Sequence, residues 1–323
     1  MELSTSGSTG SPLRLTLPLG EYAAGLGAVA YGFLMSGMRP GDRIAHLCVP
    51  IGDGSRAHRL GPWQVRRVDL RLPGDEVAKV IDAFRPHAIY AYPSHLDVLL
   101  RDGHLRGSTP PRLVITNGEP LSGRLRSRLM SMWGCRVLES YGSVEFPRVA
   151  FACKAGTLHA LDGAVMIETD PTTRDDDGFE DLLLTSLYHR RFPLARYRIG
   201  DRARVERHHQ CECGRRGVTI VELQGRRDDL LRLPSGRCVS PRSVSLLEHD
   251  RRVREFQIVQ LRLDRLALRV VATERLDQRD RAELMGLVQR GLGEEPVKIE
   301  FHQVAELPRT GSGKRRAVVS TLQ

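Results

Sequence analysis

Several short polar segments of this sequence carry side chains that could bind a nucleotide. A loop rich in Ser, Thr and Gly at residues 4–12 could wrap backbone N–H groups around a chain of phosphates, although it lacks the Gly-Lys-Ser/Thr of a Walker loop. Asn-Gly-Glu-Pro at 117–120 and Tyr-Gly-Ser-Val-Glu at 141–145 each follow a short apolar run. Because ligands bind at the carboxyl ends of strands in α/β sheets, both segments are candidate pocket walls.

Three further segments add charged groups. Asp201 ends the segment Arg-Tyr-Arg-Ile-Gly-Asp and could chelate the hydroxyls of a ribose. Gly-Arg-Arg-Asp-Asp occupies 225–229, and a Gly/Ser loop at 308–314 ends on Lys314. The chain has 4 lysines against 45 arginines, so a lysine displayed in this way stands out. A compact ammonium suits the charge that develops during attack on a phosphoryl group. Taken singly, each segment is also typical of an ordinary turn or terminus.

A second kind of chemistry is suggested by the cysteines. Cys211 and Cys213 flank one residue and could give two thiolates to one ion, while Cys153 lies six positions before His159. Three Cys and one His form a common closed, tetrahedral zinc set. The spacing differs from that of a zinc finger, so reduced cysteines in strands and turns remain an alternative interpretation. Six cysteines are too few for a disulfide scaffold in a chain of 323 residues.

The elements that must position these residues follow from the hydrophobic pattern. Strands alternate with helices up to about residue 142, which predicts an α/β layer with a largely parallel sheet. From about Thr157 the pattern favours strands without long helices, and after residue 225 it indicates a separate α+β unit. The predicted fold class is therefore α/β, with a core domain over 1–224 and a small mobile α+β domain over 225–323. Helices are predicted at 20–38, 75–84, 94–100, 122–133 and 278–291.

Composition excludes several classes of function. Apolar residues make up 41% of the chain, which excludes wholesale disorder. No apolar run is long enough for a spanning helix and no signal peptide is visible, so we expect a cytoplasmic protein without a membrane partner. The net charge is +10, but the arginines are spread along the chain and aromatic residues are only 5%. That distribution argues against a nucleic-acid partner.

Together and in this order, the polar segments resemble the motifs of the adenylate-forming acyl-CoA synthetase superfamily, and within it the phenylacetate–CoA ligase branch. The resemblance extends over residues 4–320. It implies ATP and Mg²⁺ as cofactors, with CoA or phosphopantetheine as a thiol acceptor. Lys314 is then the catalytic lysine, Glu145 the metal-binding catalytic carboxylate and Asp201 the ribose ligand, and the C-terminal domain rotates about a hinge at Asp228.

The resemblance also implies which residues line each part of the site. Those for the ATP phosphates are Thr5, Ser6, Gly7, Ser8, Thr9 and Gly10. Those around the nucleotide are Gly118, Glu119, Pro120, Tyr141, Gly142 and Arg226. Those lining an acid pocket are Ser94, Asn117, Ser143 and Phe146, with His58 and Trp63 as further candidates, although His58 is also typical of an ordinary loop histidine. Because members of this branch hold zinc in a similar pattern, the resemblance favours a structural Zn²⁺ on Cys153, His159, Cys211 and Cys213.

The implied activity is activation of a carboxylic acid, with aryl acids favoured, to an acyl-adenylate, followed by transfer to CoA or to a carrier-protein phosphopantetheine. Three departures from the family pattern leave alternatives open. The chain begins at the phosphate loop, Ser11 replaces the loop lysine, and the hairpin at 233–239 reads Leu-Pro-Ser-Gly-Arg-Cys-Val. The alternatives are an amide- or ester-forming ligase with a non-thiol acceptor, and an inactive nucleotide-binding subunit that needs a partner chain. Candidate partners are a carrier protein, a complementing N-terminal chain and a second copy of this chain.

Overall fold

The chain folds into two compact units. The structure is a computed structural model that describes residues 2–4, 14–48, 57–119, 121–143, 145–226, 230–236, 238–239, 247, 250–309 and 316–322. The N-terminal unit comprises the described residues up to 199 together with 203–223. The C-terminal unit comprises 200–202 and the described residues from 224 onward. Each unit has its own core.

The N-terminal unit is built on one large sheet with helices on both faces. Its helices are α1 (Leu19–Met35), α2 (Gly74–Phe84), α3 (Pro93–Arg101) and α4 (Gly123–Trp133). The strands of its first half are β1 (Glu2–Ser4), β2 (Arg14–Thr16), β3 (Arg43–Cys48), β4 (Ala57–Leu60), β5 (Trp63–Asp69), β6 (Ala88–Ala91), β7 (Leu113–Thr116) and β8 (Arg136–Tyr141). Those of its second half are β9 (Ala150–Ala152), β10 (Leu158–Ala160), β11 (Val165–Asp170), β12 (Glu180–Ser186), β13 (Tyr197–Gln210) and β14 (Arg216–Arg226).

The large sheet has a parallel half and an antiparallel half. Among the described residues its strand order is β11-β12-β13-β14-β10-β9-β8-β7-β6-β3-β5-β4. Strands β5, β3, β6, β7 and β8 run parallel to one another. β9 pairs antiparallel with β8, and β10 pairs antiparallel with β9 and β14. The carboxyl ends of the parallel strands therefore meet at one edge, where ligands bind in open α/β sheets.

The two faces of the parallel half bury separate cores. One face packs against α2, α3 and α4, with Ile81, Leu96 and Leu129 fully buried. The other packs against α1, where Gly32 allows close approach. A Cβ at Gly32 would lie 2.2 Å from the ring of Phe151, so a larger residue would push the helix off the sheet. None of the helices in the described ranges is long and apolar enough to cross a membrane.

The C-terminal unit is a small α+β fold. It contains β15 (Leu231–Arg232), β16 (Cys238–Val239), β17 (Val253–Arg262), β18 (Arg265–Ala272), α5 (Gln278–Leu292), β19 (Lys298–Gln303) and β20 (Val318–Ser320). Its sheet has the order β19-β18-β17-β20 and packs against α5. A capping box starts the helix, because Asp277 accepts from the N–H of Asp280 and Asp280 accepts from that of Asp277.

The predicted α/β fold class is confirmed, and the differences are local. The helix predicted over 75–84 begins one residue earlier, at Gly74 behind Pro73, and has no side-chain cap. β4 and β5 are not predicted, because β5 carries Arg66 and Arg67 in its middle and so lacks a clean apolar alternation. The strands expected after Thr157 are present, and β13 is 14 residues long.

Candidate functional site

Two of the predicted segments lie together with Ser94 at the carboxyl edge of the parallel sheet. The registers pair Ala91 with Thr116 and Thr116 with Glu139, which aligns the ends of β6, β7 and β8. Ser94 follows the first of these strands and Asn117 the second. The segment 141–146 follows the third. Residues distant in the sequence thus share one edge of the sheet.

Glu119 links two of these segments. Its carboxylate accepts hydrogen bonds from the backbone N–H of Ser94 at 2.9 Å and from the Ser94 hydroxyl at 3.0 Å. Ser94 lies in the first turn of α3, which has no cap from its own N-cap residue. Because the first N–H groups of a helix lack internal partners, a carboxylate there is stabilising. Glu119 therefore fixes the turn after β7 to the start of α3.

The segment after β8 folds back on itself in a tight turn. The N–H of Ser143 donates to the carbonyl of Phe146 at 2.8 Å, and the N–H of Phe146 donates to the Ser143 hydroxyl at 3.1 Å. Gly142 is required by contact, since a Cβ there would lie 2.6 Å from the carbonyl oxygen of Pro147. The turn leaves Glu145 buried at 9% exposure.

The remaining predicted nucleotide residues fall into two groups. Asp201 is buried on β13, and Tyr141 is buried at the end of β8. The others lie outside the described residues; they are Thr5, Ser6, Gly7, Ser8, Thr9, Gly10, Pro120, Asp228, Lys314 and the side chain of Arg226.

The four predicted metal ligands come from two similar hairpin turns and one strand. Cys153 follows β9 and starts a turn in which the N–H of Gly156 donates to its carbonyl at 2.9 Å. Cys211 follows β13 and starts a turn closed by Gly214 in the same way, at the same distance. Both glycines have positive φ, which glycine adopts without strain. Cys213 lies inside the second turn and His159 on β10.

The donor set fits a tetrahedral zinc ion. The four ligand atoms all lie within 4.8 Å of one another, with 3.8 Å between the sulfurs of Cys153 and Cys211 and 3.5 Å between Cys213 Sγ and His159 Nε2. Zinc bonds of about 2.3 Å to sulfur and about 2.0 Å to nitrogen, arranged as a tetrahedron, require separations of about 3.8 and about 3.5 Å. Burial acts to raise the pKa of the Cys211 thiol. Hydrogen bonds from the backbone N–H of Cys213 and from the hydroxyl of Thr157 outweigh it, and that pKa falls to about 6.

Several known proteins are similar to this chain in sequence. A model of the CapK C-terminal domain matches residues 234–321. Protein CapK of Staphylococcus aureus is 22% identical over 252 residues, which is 76% of this chain and 55% of that protein. A phenylacetate–coenzyme A ligase of Thermus thermophilus is 27% identical over 293 residues, which is 84% of this chain and 65% of that enzyme. The chain thus spans little more than half the length of the curated relatives it matches.

Solved structures share the fold over nearly the whole chain. A 2-hydroxyisobutyryl-CoA ligase in the postadenylation state, in complex with R3-HIB-AMP, superposes with a TM-score of 0.79 at 20% identity and covers 98% of this chain and 72% of that one. The chain has the fold of the adenylate-forming acyl-CoA synthetase superfamily. It resembles the phenylacetate–CoA ligase branch, as the sequence motifs implied. An amide bond synthetase from Marinactinospora thermotolerans also has this fold, with a TM-score of 0.68, 20% identity, and 98% and 67% of the two chains covered.

Two residues differ from the sequence analysis. One was predicted to line a pocket and is buried in the core, and the other contacts the Cys/His cluster without having been predicted. Trp63, a candidate lining residue, lies in the core at 1% exposure, and its indole N–H donates to the carbonyl of Arg39. Thr157, whose hydroxyl is hydrogen-bonded to Cys211 Sγ at 3.2 Å, was not predicted, although its place between Cys153 and His159 was a usable signal.

Proposed function

We propose that this protein activates a carboxylic acid with MgATP. A carboxylate oxygen would attack the α-phosphorus, the bond from that phosphorus to the bridging oxygen would break, and pyrophosphate would leave. The observation that carries the proposal is the grouping of two superfamily segments, at 117–119 and at 141–145, with Ser94 at the ends of β6, β7 and β8. The phenylacetate–coenzyme A ligases among the relatives support the same chemistry.

The proposed roles follow the superfamily motifs. Lys314 would stabilise the charge that develops between the attacking carboxylate and the α-phosphate, as preorganised cations do at phosphoryl centres. Glu145 would hold Mg²⁺, which would neutralise the phosphates, and Asp201 would bind the ribose. Rotation of the C-terminal domain about Asp228 would separate adenylation from the transfer step, a hinge motion of a common kind.

A structural zinc ion belongs to the same proposal. Cys153, His159, Cys211 and Cys213 would fill all four positions of the ion, and no position would remain for substrate. The ion would supply no chemistry to the reaction. Its effect would be to clip the turn after β9 to the turn after β13.

The acceptor of the acyl group defines two candidate functions. In the first, the sulfur of CoA or of a carrier-protein phosphopantetheine attacks the acyl carbon and AMP leaves. In the second, an amine attacks the acyl carbon, AMP leaves and an amide forms. The second is favoured by two relatives, a fumarate–(S)-2,3-diaminopropanoate ligase of Enterobacter agglomerans, 25% identical over 178 residues, and the amide bond synthetase. Product analysis with CoA, carrier protein and amines would separate them.

ATP–pyrophosphate exchange on the purified chain tests adenylation directly. We expect exchange with at least one acid from a panel of aryl, aliphatic and amino acids. Lys314→Ala should reduce exchange about 10²- to 10³-fold, whereas Lys298→Ala, at an exposed position on β19, should not. Silence across the panel in a folded protein that binds ATP would contradict the proposal and favour a subunit that needs a partner chain.

A further inference from the structure

Four side chains form a basic row on the α1 face of the parallel sheet. The register pairs His46 on β3 with Arg67 on β5 and with Tyr90 on β6, so their side chains lie side by side on one face. The rings of His46 and Tyr90 are 4.9 Å apart. Arg148, from the segment after β8, places its guanidinium 5.2 Å from the centre of the Tyr90 ring. The basic row is Arg67, His46, Tyr90 and Arg148.

The positive charge of the basic row is not neutralised within the described part of the chain. Arg67 and Arg148 are both half-buried, and neither forms an ion pair with a described carboxylate. Asp69, two positions after Arg67 on β5, instead pairs with Arg71 at 2.6 Å. Arg148 donates to the carbonyl of Pro147, while its Nε is buried and has no hydrogen-bond partner among the described residues.

The electrostatics of His46 agree with an excess of positive charge. Burial, followed by the charges of Arg148, Arg67 and His58, lowers the pKa of His46 to about 3. At neutral pH the histidine is therefore uncharged, and the two guanidiniums carry the charge. A half-buried cation without a partner is unfavourable unless a ligand supplies the anion.

The basic row lies next to the predicted acid-binding segments. Arg148 follows Phe146 by two positions, and Tyr90 precedes the turn that leads to Ser94. The Tyr90 hydroxyl lies 3.4 Å from Ser140 Oγ, near the end of β8. The row and the proposed acid pocket therefore share the ends of the same strands.

We propose that the acid activated here carries a second carboxylate, which binds at Arg67 and Arg148. The inference rests on the proposed function and names its substrate class. The reacting carboxylate loses its charge when the acyl-adenylate forms, so it cannot neutralise the row after adenylation. A second carboxylate keeps its charge through both half-reactions, and a guanidinium can bind it with two parallel hydrogen bonds. Arg67 and Arg148 would thus select diacids over monoacids of the same shape.

Calorimetry with terephthalate and benzoate tests the inference, because the two acids differ only in the second carboxylate. We expect terephthalate to bind at least about tenfold more tightly, which corresponds to about 1.4 kcal/mol. Arg148→Gln should remove most of that difference without weakening benzoate, and Arg148→Lys should restore part of it. Arg204→Gln, which removes an exposed partner of Glu222, is the matched control and should leave the preference intact.

Two results would overturn the inference. One is equal binding of the two acids. The other is an equal loss of MgATP and terephthalate binding in Arg148→Gln, which would mean that the row binds phosphates. Exchange assays with both acids keep the two proposals apart. If exchange with benzoate is at least as fast as with terephthalate, the diacid inference is refuted and adenylation is upheld. If no acid supports exchange, the result counts against adenylation, and the calorimetry still decides the diacid question.

Discussion

The two candidate sites of the N-terminal unit are built in opposite ways. In the Cys/His cluster, four ligand atoms converge within 4.8 Å, and the turns that carry them are closed by their own backbone hydrogen bonds. At the carboxyl edge of the sheet, side chains from separate strands form a few contacts, such as that between Glu119 and Ser94, but they do not converge on one point. There the guanidiniums of Arg67 and Arg148 have no acidic partner among the described residues.

In the proposed function, this difference separates a structural site from a reactive one. In that proposal the four Cys and His ligands would fill all positions of one zinc ion, so the ion would contribute only to stability. At the carboxyl edge of the sheet, the guanidiniums of Arg67 and Arg148 and the buried Glu145 lower the stability of the fold, but they can bind a ligand of opposite charge. Variants in the two regions should therefore differ in what they change, with folding affected by one and ligand binding mainly by the other.

The largest expected effect tests the Cys/His cluster. Cys211→Ser should abolish binding of one zinc equivalent and lower the free energy of unfolding by about 4 kcal/mol, because losing a ligand leaves the two turns unclipped. Metal analysis and urea unfolding would measure the two effects. Cys135→Ser is the matched control, since that buried thiol donates only to the carbonyl of Leu129 and should keep the metal content unchanged. A metal-free wild-type protein of equal stability would contradict the assignment.

The next effect tests whether the close contact at Gly142, in the turn after β8, is needed for the site at the carboxyl edge of the sheet. In Gly142→Ala the new Cβ meets the backbone carbonyl of Pro147 at 2.6 Å, so the turn that holds Glu145 must shift. We expect a loss of about 1–3 kcal/mol in unfolding free energy together with loss of pyrophosphate exchange. Gly123→Ala, with no atom within 4 Å at the start of α4, should be neutral or slightly stabilising. Full exchange activity in Gly142→Ala would mean that the turn is not part of the site.

The two regions also differ in how far the sequence predicts them. The clustering of Cys153, His159, Cys211 and Cys213 could be predicted because the resemblance to the phenylacetate–CoA ligase branch favoured them as one set, although the cysteine spacing alone left reduced thiols as an alternative. The sheet edge could be predicted only in part, from motif turns such as 117–120. The basic row could not, because Arg67 and His46 lie on a face that otherwise reads as core, and polar residues there obscure the period-two pattern of β5. Their meeting depends on strand register, which no local pattern specifies.

The pH dependence of the unfolding free energy tests the environment of His46 in the basic row. Among the described residues, the groups that act on His46 are His58 on β4, Arg67 on β5, Tyr90 on β6 and Arg148 after β8. The pKa of His46 is about 3 in the folded protein, against about 6.5 when unfolded. The unfolded state therefore binds one more proton between these values, and stability falls as pH drops from about 6.5 toward 3, by at most about 1.4 kcal/mol per pH unit. His46→Gln should lose this slope in unfolding measurements, and an unchanged slope would refute the assignment.

The smallest expected effect is the coupling between two residues to which the sequence analysis assigned different ligands. Glu119, predicted to bind the nucleotide, and Ser94, predicted to line the acid pocket, are hydrogen-bonded to each other. Glu119→Gln and Ser94→Ala should each destabilise the protein, and a double-mutant cycle should give a coupling of about 1 kcal/mol, typical of a carboxylate that satisfies a helix start. If binding affinities for the acid and for ATP are measured in the same variants, both should fall in Glu119→Gln, because the carboxylate positions the walls of both pockets. If the affinity falls for only one ligand and the cycle shows no coupling in stability, the two segments act independently. The carboxyl edge of the sheet would then be assembled only when its ligands bind.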